Sequence, residues 1–145
     1  MENTNWISLV IATLIPLVVG FIYYNKNLFG KAWMHSLGKT EEDLEKGNKA
    51  LIFGLSIVLS FLLAFFLLNF NNGPGQEGEF DTFGHGAFHG FFIAFVVGMP
   101  IMVINGLFEL KKFKNLLINV IYWIISLALM GGVLDVMNHW PNQMP

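Results

Sequence analysis

Apolar residues in this chain run in four long blocks, and the polar ones collect in the gaps between them. Trp6 to Tyr24 (WISLVIATLIPLVVGFIYY) and Ala50 to Phe70 (ALIFGLSIVLSFLLAFFLLNF) carry no charge. Phe83 to Asn105 (FGHGAFHGFFIAFVVGMPIMVIN) adds only His85 and His89 near its start, and Leu116 to Met137 (LLINVIYWIISLALMGGVLDVM) only Asp135 near its end. About 20 apolar residues, each rising roughly 1.5 Å along a helix, cover a hydrocarbon core about 30 Å thick. Each block is therefore long enough to cross a bilayer. The pattern predicts an all-α fold, a polytopic membrane four-helix bundle that occupies residues 1–145 as one domain with no soluble domain beside it.

The gaps differ in character. Between the first two blocks, Leu28-Phe29-Gly30-Lys31-Ala32-Trp33-Met34 is an apolar and aromatic stretch punctuated by lysine, which suits a short helix lying in the membrane interface. Thr40 and Asp43 have the spacing of a capping box with Asp in place of Glu, so a second short helix should lead into the next span. Asn71-Asn72-Gly73-Pro74-Gly75-Gln76-Glu77-Gly78 is rich in breakers and reads as a flexible turn. Leu107 to Asn115 is a tight basic hairpin, which makes spans three and four antiparallel neighbours.

Small residues mark where helices can approach, because lipid supplies little hydrophobic drive between them and close van der Waals contact takes over. Gly86, Gly90, Ala94 and Gly98 recur every fourth residue along span three; Ser56, Ser60 and Ala64 make a shorter stripe on span two, and Ala128 with Gly132 one on span four. Two readings stay open: close packing within the bundle, or a homo-oligomer through Gly86, Gly90, Ala94 and Gly98. Pro16 and Pro100 should kink their helices or release a carbonyl to a neighbour's polar group.

Charge orients the bundle. All eight cations are lysines, and they fall only in Lys26–Lys49 and Lys111–Lys114. Positively charged loops stay on the cytoplasmic side, so both termini and the acidic second loop should lie outside, in the periplasm if the chain sits in a bacterial inner membrane. The first span lacks the basic flank and small-residue cleavage site of a signal peptide and is expected to remain. Trp6, Tyr23, Tyr24, Trp33 and Trp140 fall where an aromatic belt would. A composition that is 54% hydrophobic and 12% charged agrees with a membrane domain and leaves little for a second, soluble one. Zero cysteines exclude disulfides, thiolate metal sites and a cysteine nucleophile. A net charge of -2 without arginine argues against nucleic acid, which needs a basic face. The five lysines of the first loop can meet anionic membrane lipids.

Candidate chemistry gathers at the ends of spans three and four opposite the lysines. Asp81, His85 and His89 are spaced by four and share a helix face, and Asp135 with His139 repeats the spacing. Imidazoles and carboxylates without thiols suit a transition metal such as zinc, manganese or iron. The alternatives are histidines that merely cap the bundle, a proton relay, or a haem between spans three and four, the last disfavoured because no arginine can meet its propionates. His35 stands alone in the first loop, as a solvated or lipid-facing side chain. Asn105 and Asn119 should face one another across the basic hairpin and fasten their helices, or else line a substrate path. No nucleophile motif or nucleotide loop appears, so an enzyme is not expected. A non-catalytic binding or assembly component that works with a membrane protein partner leads, followed by an oligomeric small transporter or channel subunit, then an enzyme or redox carrier.

Asn5-Trp6 opening the first span, the run from Gly20 to Met34 (GFIYYNKNLFGKAWM), the His85-Gly and His89-Gly pairs, and Leu107-Phe-Glu109 before Leu116-Leu-Ile-Asn119-Val-Ile-Tyr122 together resemble the small four-span bacterial membrane proteins grouped as domain of unknown function 1761. The resemblance covers nearly the whole chain, and its most specific part is the Tyr-x4-Phe-Gly-Lys-x-Trp stretch. It implies fold and location, and no activity. The second loop is richer in glycine and acid than the family pattern, so the site reading near it rests on this sequence alone.

Overall fold

A computed structural model describes residues 5–71 and 82–138. Seven α-helices appear among them: α1 (Trp6–Tyr23), α2 (Gly30–Leu37), α3 (Glu41–Glu45), α4 (Lys49–Asn71), α5 (Phe83–Ile93), α6 (Met99–Phe108) and α7 (Phe113–Asn138), with a π-helical turn at Ala94–Gly98 joining α5 to α6. Four continuous helices, Trp6–Tyr23, Lys49–Asn71, Phe83–Phe108 and Phe113–Asn138, are long and apolar enough to cross a membrane. They match the four apolar blocks to within a few residues at each end, because in hydrocarbon a segment must satisfy its own backbone and helix is the local way to do so.

The bundle is organised around α7. In its most apolar stretch 44% of residues are buried, against 33%, 22% and 11% for the first, second and third spans. Phenylalanines and branched aliphatics of the outer helices face outward instead, with Phe21 82% and Phe108 86% exposed. An apolar exterior over a core that contains Ser8, Thr13, Ser60, Asn71, Asn115 and Asp135 reverses the order of a water-soluble protein, as expected when the surroundings are lipid. The shared apolar core is built from Leu9 and Ala12 of α1, Ala64, Leu67 and Leu68 of α4, Ala94 of the π turn, and Leu127, Met130 and Leu134 of α7.

Small residues set the tightest contact, between α5 and α7. A Cβ added to Gly86 would run into the carbonyl of Gly131, and one on Gly90 into that of Leu127. Gly131 returns the contact to Gly86, while Gly132 lies under the Phe83 ring. Gly86, Gly90 and Ala94 are all buried, and of the stripe Gly98 alone is partly exposed. Gly86 and Gly90 thus pack on α7 of the same chain, as the close-packing reading has it.

Prolines act on local hydrogen bonding. Pro100 lies two residues past the end of the π turn, and the Met99 amide reaches back five residues to Ala94; widening the turn there accommodates a residue that cannot donate. Helix α1 runs through Pro16, whose own carbonyl accepts from the Tyr122 hydroxyl at 2.8 Å.

The lysine-bearing end closes on a network between the first loop and α7. Helix α2 ends at Gly38, whose φ of 66° is the left-handed stop that glycine takes without strain. Gly30 lies so close to the Tyr24 and Asn25 backbone that any side chain would collide. This contact turns α2 back toward α7. Asn119 Oδ1 accepts from the Tyr24 hydroxyl at 2.9 Å and from Trp33 Nε1 at 3.1 Å. Asn115 Nδ2 donates to the Ser36 hydroxyl at 3.0 Å, and the Tyr23 hydroxyl to the Ile118 carbonyl at 3.1 Å. Two expectations change here. Asn119 fastens span four to span one and α2; it and Asn105 only share the walls of a cavity of about 230 Å³ beside the basic hairpin. Tyr23, Tyr24 and Trp33 are internal connectors, leaving Trp6, 63% exposed, as the belt residue that faces outward; Trp140 lies outside the described residues.

The capping box forms as the spacing predicts. Thr40 Oγ1 accepts from the Asp43 amide, and the Asp43 carboxylate accepts from the Thr40 amide at 3.0 Å and its hydroxyl at 2.9 Å. These bonds favour the ionised form and hold the Asp43 carboxyl below the usual aspartate range. The cap is therefore complete above the ordinary aspartate pKa and is lost as pH falls through the lowered value. A carboxyl NMR titration should give Asp43 a midpoint below the usual aspartate value and Thr40→Val should raise it; an unchanged midpoint contradicts the cap. For the helix contact, Gly90→Ala should cost about 1–3 kcal/mol by overpacking, seen as a lower thermal midpoint in detergent, and a variant as stable as the wild type would show that α5 and α7 are not in backbone contact.

Candidate site at the histidine-bearing end

Each helix that reaches this end brings at least one polar group to it. Asn5 caps α1 by accepting from the Ile7 and Ser8 amides, and its own side chain donates to the Met137 carbonyl at 2.9 Å. Its backbone amide also donates to Asn138 Oδ1, so the start of α1 is tied to the end of α7. Thr82 caps α5 by accepting from the His85 amide at 3.2 Å. That cap starts the helix at Phe83, two residues ahead of His85, and fixes which face the histidines occupy.

His85 and His89 stand one turn apart with ring centroids 4.2 Å from each other, edge to face. His85 Nδ1 lies 2.9 Å from Asp135 Oδ2, whose side chain is 1% exposed. Gly86 and Gly131 let the two backbones approach closely enough for this bond. His89 Nδ1 lies 3.0 Å from Asn71 Oδ1, and its ring packs edge-on against Phe70. Asn71 in turn aims its Nδ2 at the Gly131 carbonyl, 3.4 Å away. Because that amide nitrogen faces a carbonyl, the Asn71 oxygen faces His89 and accepts a hydrogen bond from its Nδ1–H.

When the imidazoles are neutral, the bonding network assigns both the same tautomer. Nδ1 carries the hydrogen in each, directed at a side-chain oxygen, and Nε2 carries the lone pair on the other side of the ring. Histidines held this way are oriented as ligands usually are, with an oxygen acceptor behind the ring fixing its tautomer.

Of the five residues expected to form the site, the structure brings His85, His89 and Asp135 together. Asp81 and His139 lie outside the described residues. Among the described residues, no group of three or more His, Asp or Glu side chains is arranged to hold a metal ion. The residue that sequence reasoning missed is Asn71, buried at 3% exposure. In the sequence it reads as the first residue of a polar loop, with no signal that it points inward.

Four apolar spans with their intramembrane His and Asp gathered at one end of the bundle define a polytopic helical membrane protein. Within that class, the chain belongs to the family described as "Protein of unknown function (DUF1761)", whose model matches residues 7–135. The match takes in all of α1 but its first residue, the α2 network and α7 as far as Asp135. No curated protein and no solved structure matches the chain.

Removing the oxygen behind His89 should be felt. Asn71→Leu leaves the His89 Nδ1 hydrogen and the Gly131 carbonyl without their side-chain partner and should cost about 1–3 kcal/mol, whereas Asn69→Leu, at an exposed position two residues earlier, should cost little. Thermal midpoints in one detergent compare the two, and equal losses would deny Asn71 its role.

Proposed function

We propose that this chain is a non-catalytic component of a bacterial inner membrane, with both termini periplasmic, and that its histidine-bearing end binds a divalent transition metal ion such as zinc, manganese or iron. His85 and His89 supply Nε2 atoms as ligands, Asp135 and Asn71 hold their rings from behind, and Asp81 or His139 completes the set. The observation that carries this reading is the shared tautomer: two adjacent imidazoles each have Nδ1 bonded to a buried side-chain oxygen, at 2.9 and 3.0 Å. Ionisable residues inside a membrane are costly to keep, which is why they usually mark a binding site or an ion path. The confinement of all eight lysines to the other two loops supports the orientation.

Metal ligands and ring-holding residues should respond differently. Gently purified wild type should contain near-stoichiometric zinc, manganese or iron by elemental analysis, and His85→Ala with His89→Ala should abolish it. Asp135→Asn should keep the site and weaken its affinity by about 10- to 100-fold, the usual effect of losing an outer-shell partner. Metal-free wild type that also fails to take up zinc, manganese or iron on titration would overturn the proposal.

A further inference from the structure

Helices α1 and α4 meet at the histidine-bearing end and part toward the lysines. Leu9 and Ala12 of α1 share the core with Ala64, Leu67 and Leu68 of α4. From Lys49 to Leu59, by contrast, every residue of α4 except the half-buried Ser56 is exposed. The divergence leaves an open groove of about 1430 Å³. That exceeds the roughly 300–1,000 Å³ of a usual small-molecule pocket, and its length along two spans suits a chain-like occupant. Leu17 and Phe21 line one wall and Ile52 and Phe53 the other. Lys26, just past the end of α1, and Lys49, the first residue of α4, stand at the interfacial end.

We propose that this groove binds one anionic phospholipid of the surrounding bilayer, with an acyl chain between α1 and α4 and the phosphate at Lys26 and Lys49. The apolar walls match the chain, and the two cations sit at the level of a head group, the arrangement by which basic pockets between spans recognise anionic lipids. Glu41 holds Lys26 in place at 2.6 Å and offsets part of its charge, while Lys49 has no ion-pair partner among the described residues. A second copy of the chain fits the same groove less well. Inserted in the same orientation, it would bring its own lysine-bearing end beside Lys26 and Lys49, placing like charges together. A phosphate relieves that charge.

Native mass spectrometry of the full chain, released from nanodiscs of equal phosphatidylglycerol and phosphatidylcholine, tests the proposal. Wild type should retain one phosphatidylglycerol in preference to phosphatidylcholine. The surface variant Lys26→Gln with Lys49→Gln should bind phosphatidylglycerol about thirtyfold more weakly, the factor expected from losing two interfacial cations, with phosphatidylcholine unchanged. Ser56→Trp, which fills the groove, should expel the lipid. Because the lysine variant leaves the core intact, it decides the matter even if Ser56→Trp does not fold. Equal retention of both lipids, or a phosphatidylglycerol affinity unmoved by the lysine variant, would reduce the groove to ordinary boundary lipid. A lipid-free dimer would assign it to a second copy; each of these outcomes overturns the proposal.

Discussion

A polar side chain facing hydrocarbon has no water to turn to, and the architecture follows from where this chain sends such groups. Some bond back within their own helix, as Ser8, Thr13 and Asn69 do; those that reach another span go almost entirely to α7. Among the described residues, every side-chain hydrogen bond that joins two spans has one end on α7, except the one between His89 and Asn71. Trp33 and Ser36 of the interfacial helix α2 end there too. Each such bond adds only about 0.5–1.5 kcal/mol when made, but an orphaned partner costs about 1–3 kcal/mol. The network therefore selects one arrangement of four helices more than it stabilises any one of them.

Glycine contacts and polar bonds depend on one another. The approach of α5 to α7 at Gly86, Gly90 and Gly131 allows no intervening side chain, and that closeness puts Asp135 within reach of His85. At the other end, Gly30 folds the first loop against the Tyr24 and Asn25 backbone, so that Trp33 can share Asn119 with Tyr24. The stretch that carries the family resemblance, Tyr24 to Trp33, thus has a physical task in this chain: it closes the lysine-bearing end. Between the two ends, the π turn before Pro100 relaxes the third span where a regular helix would meet a residue with no amide hydrogen.

Most of the fold was legible in the sequence because length and hydropathy decide spans almost alone. The four helices, the capping box at Thr40 and Asp43, the α2 segment and the antiparallel third and fourth spans all appear as the pattern predicts. Side-chain partners were less legible. Spacing placed His85 and His89 on one face, and hairpin topology brought Asp135 to their level, but nothing in the sequence distinguished Asn71, which turns inward, from Asn69, which is exposed. The same limit explains the stripe in span three, which packs against α7 inside the chain, and Asn119, which bonds Tyr24 and Trp33. A four-residue period says which residues share a face; which neighbour takes that face depends on how the helices cross.

The account's central claim is that polar groups from distant segments meet on α7, and the His85–Asp135 bond is its clearest instance. Dipolar recoupling between ¹⁵N-labelled His85 Nδ1 and the ¹³C-labelled Asp135 carboxyl, measured on the full chain in lipid bilayers, reads that contact directly. Strong recoupling at hydrogen-bonded range, with the hydrogen on Nδ1, is the predicted result. Absence of recoupling in well-folded protein would contradict it and separate the third span from the fourth at this end.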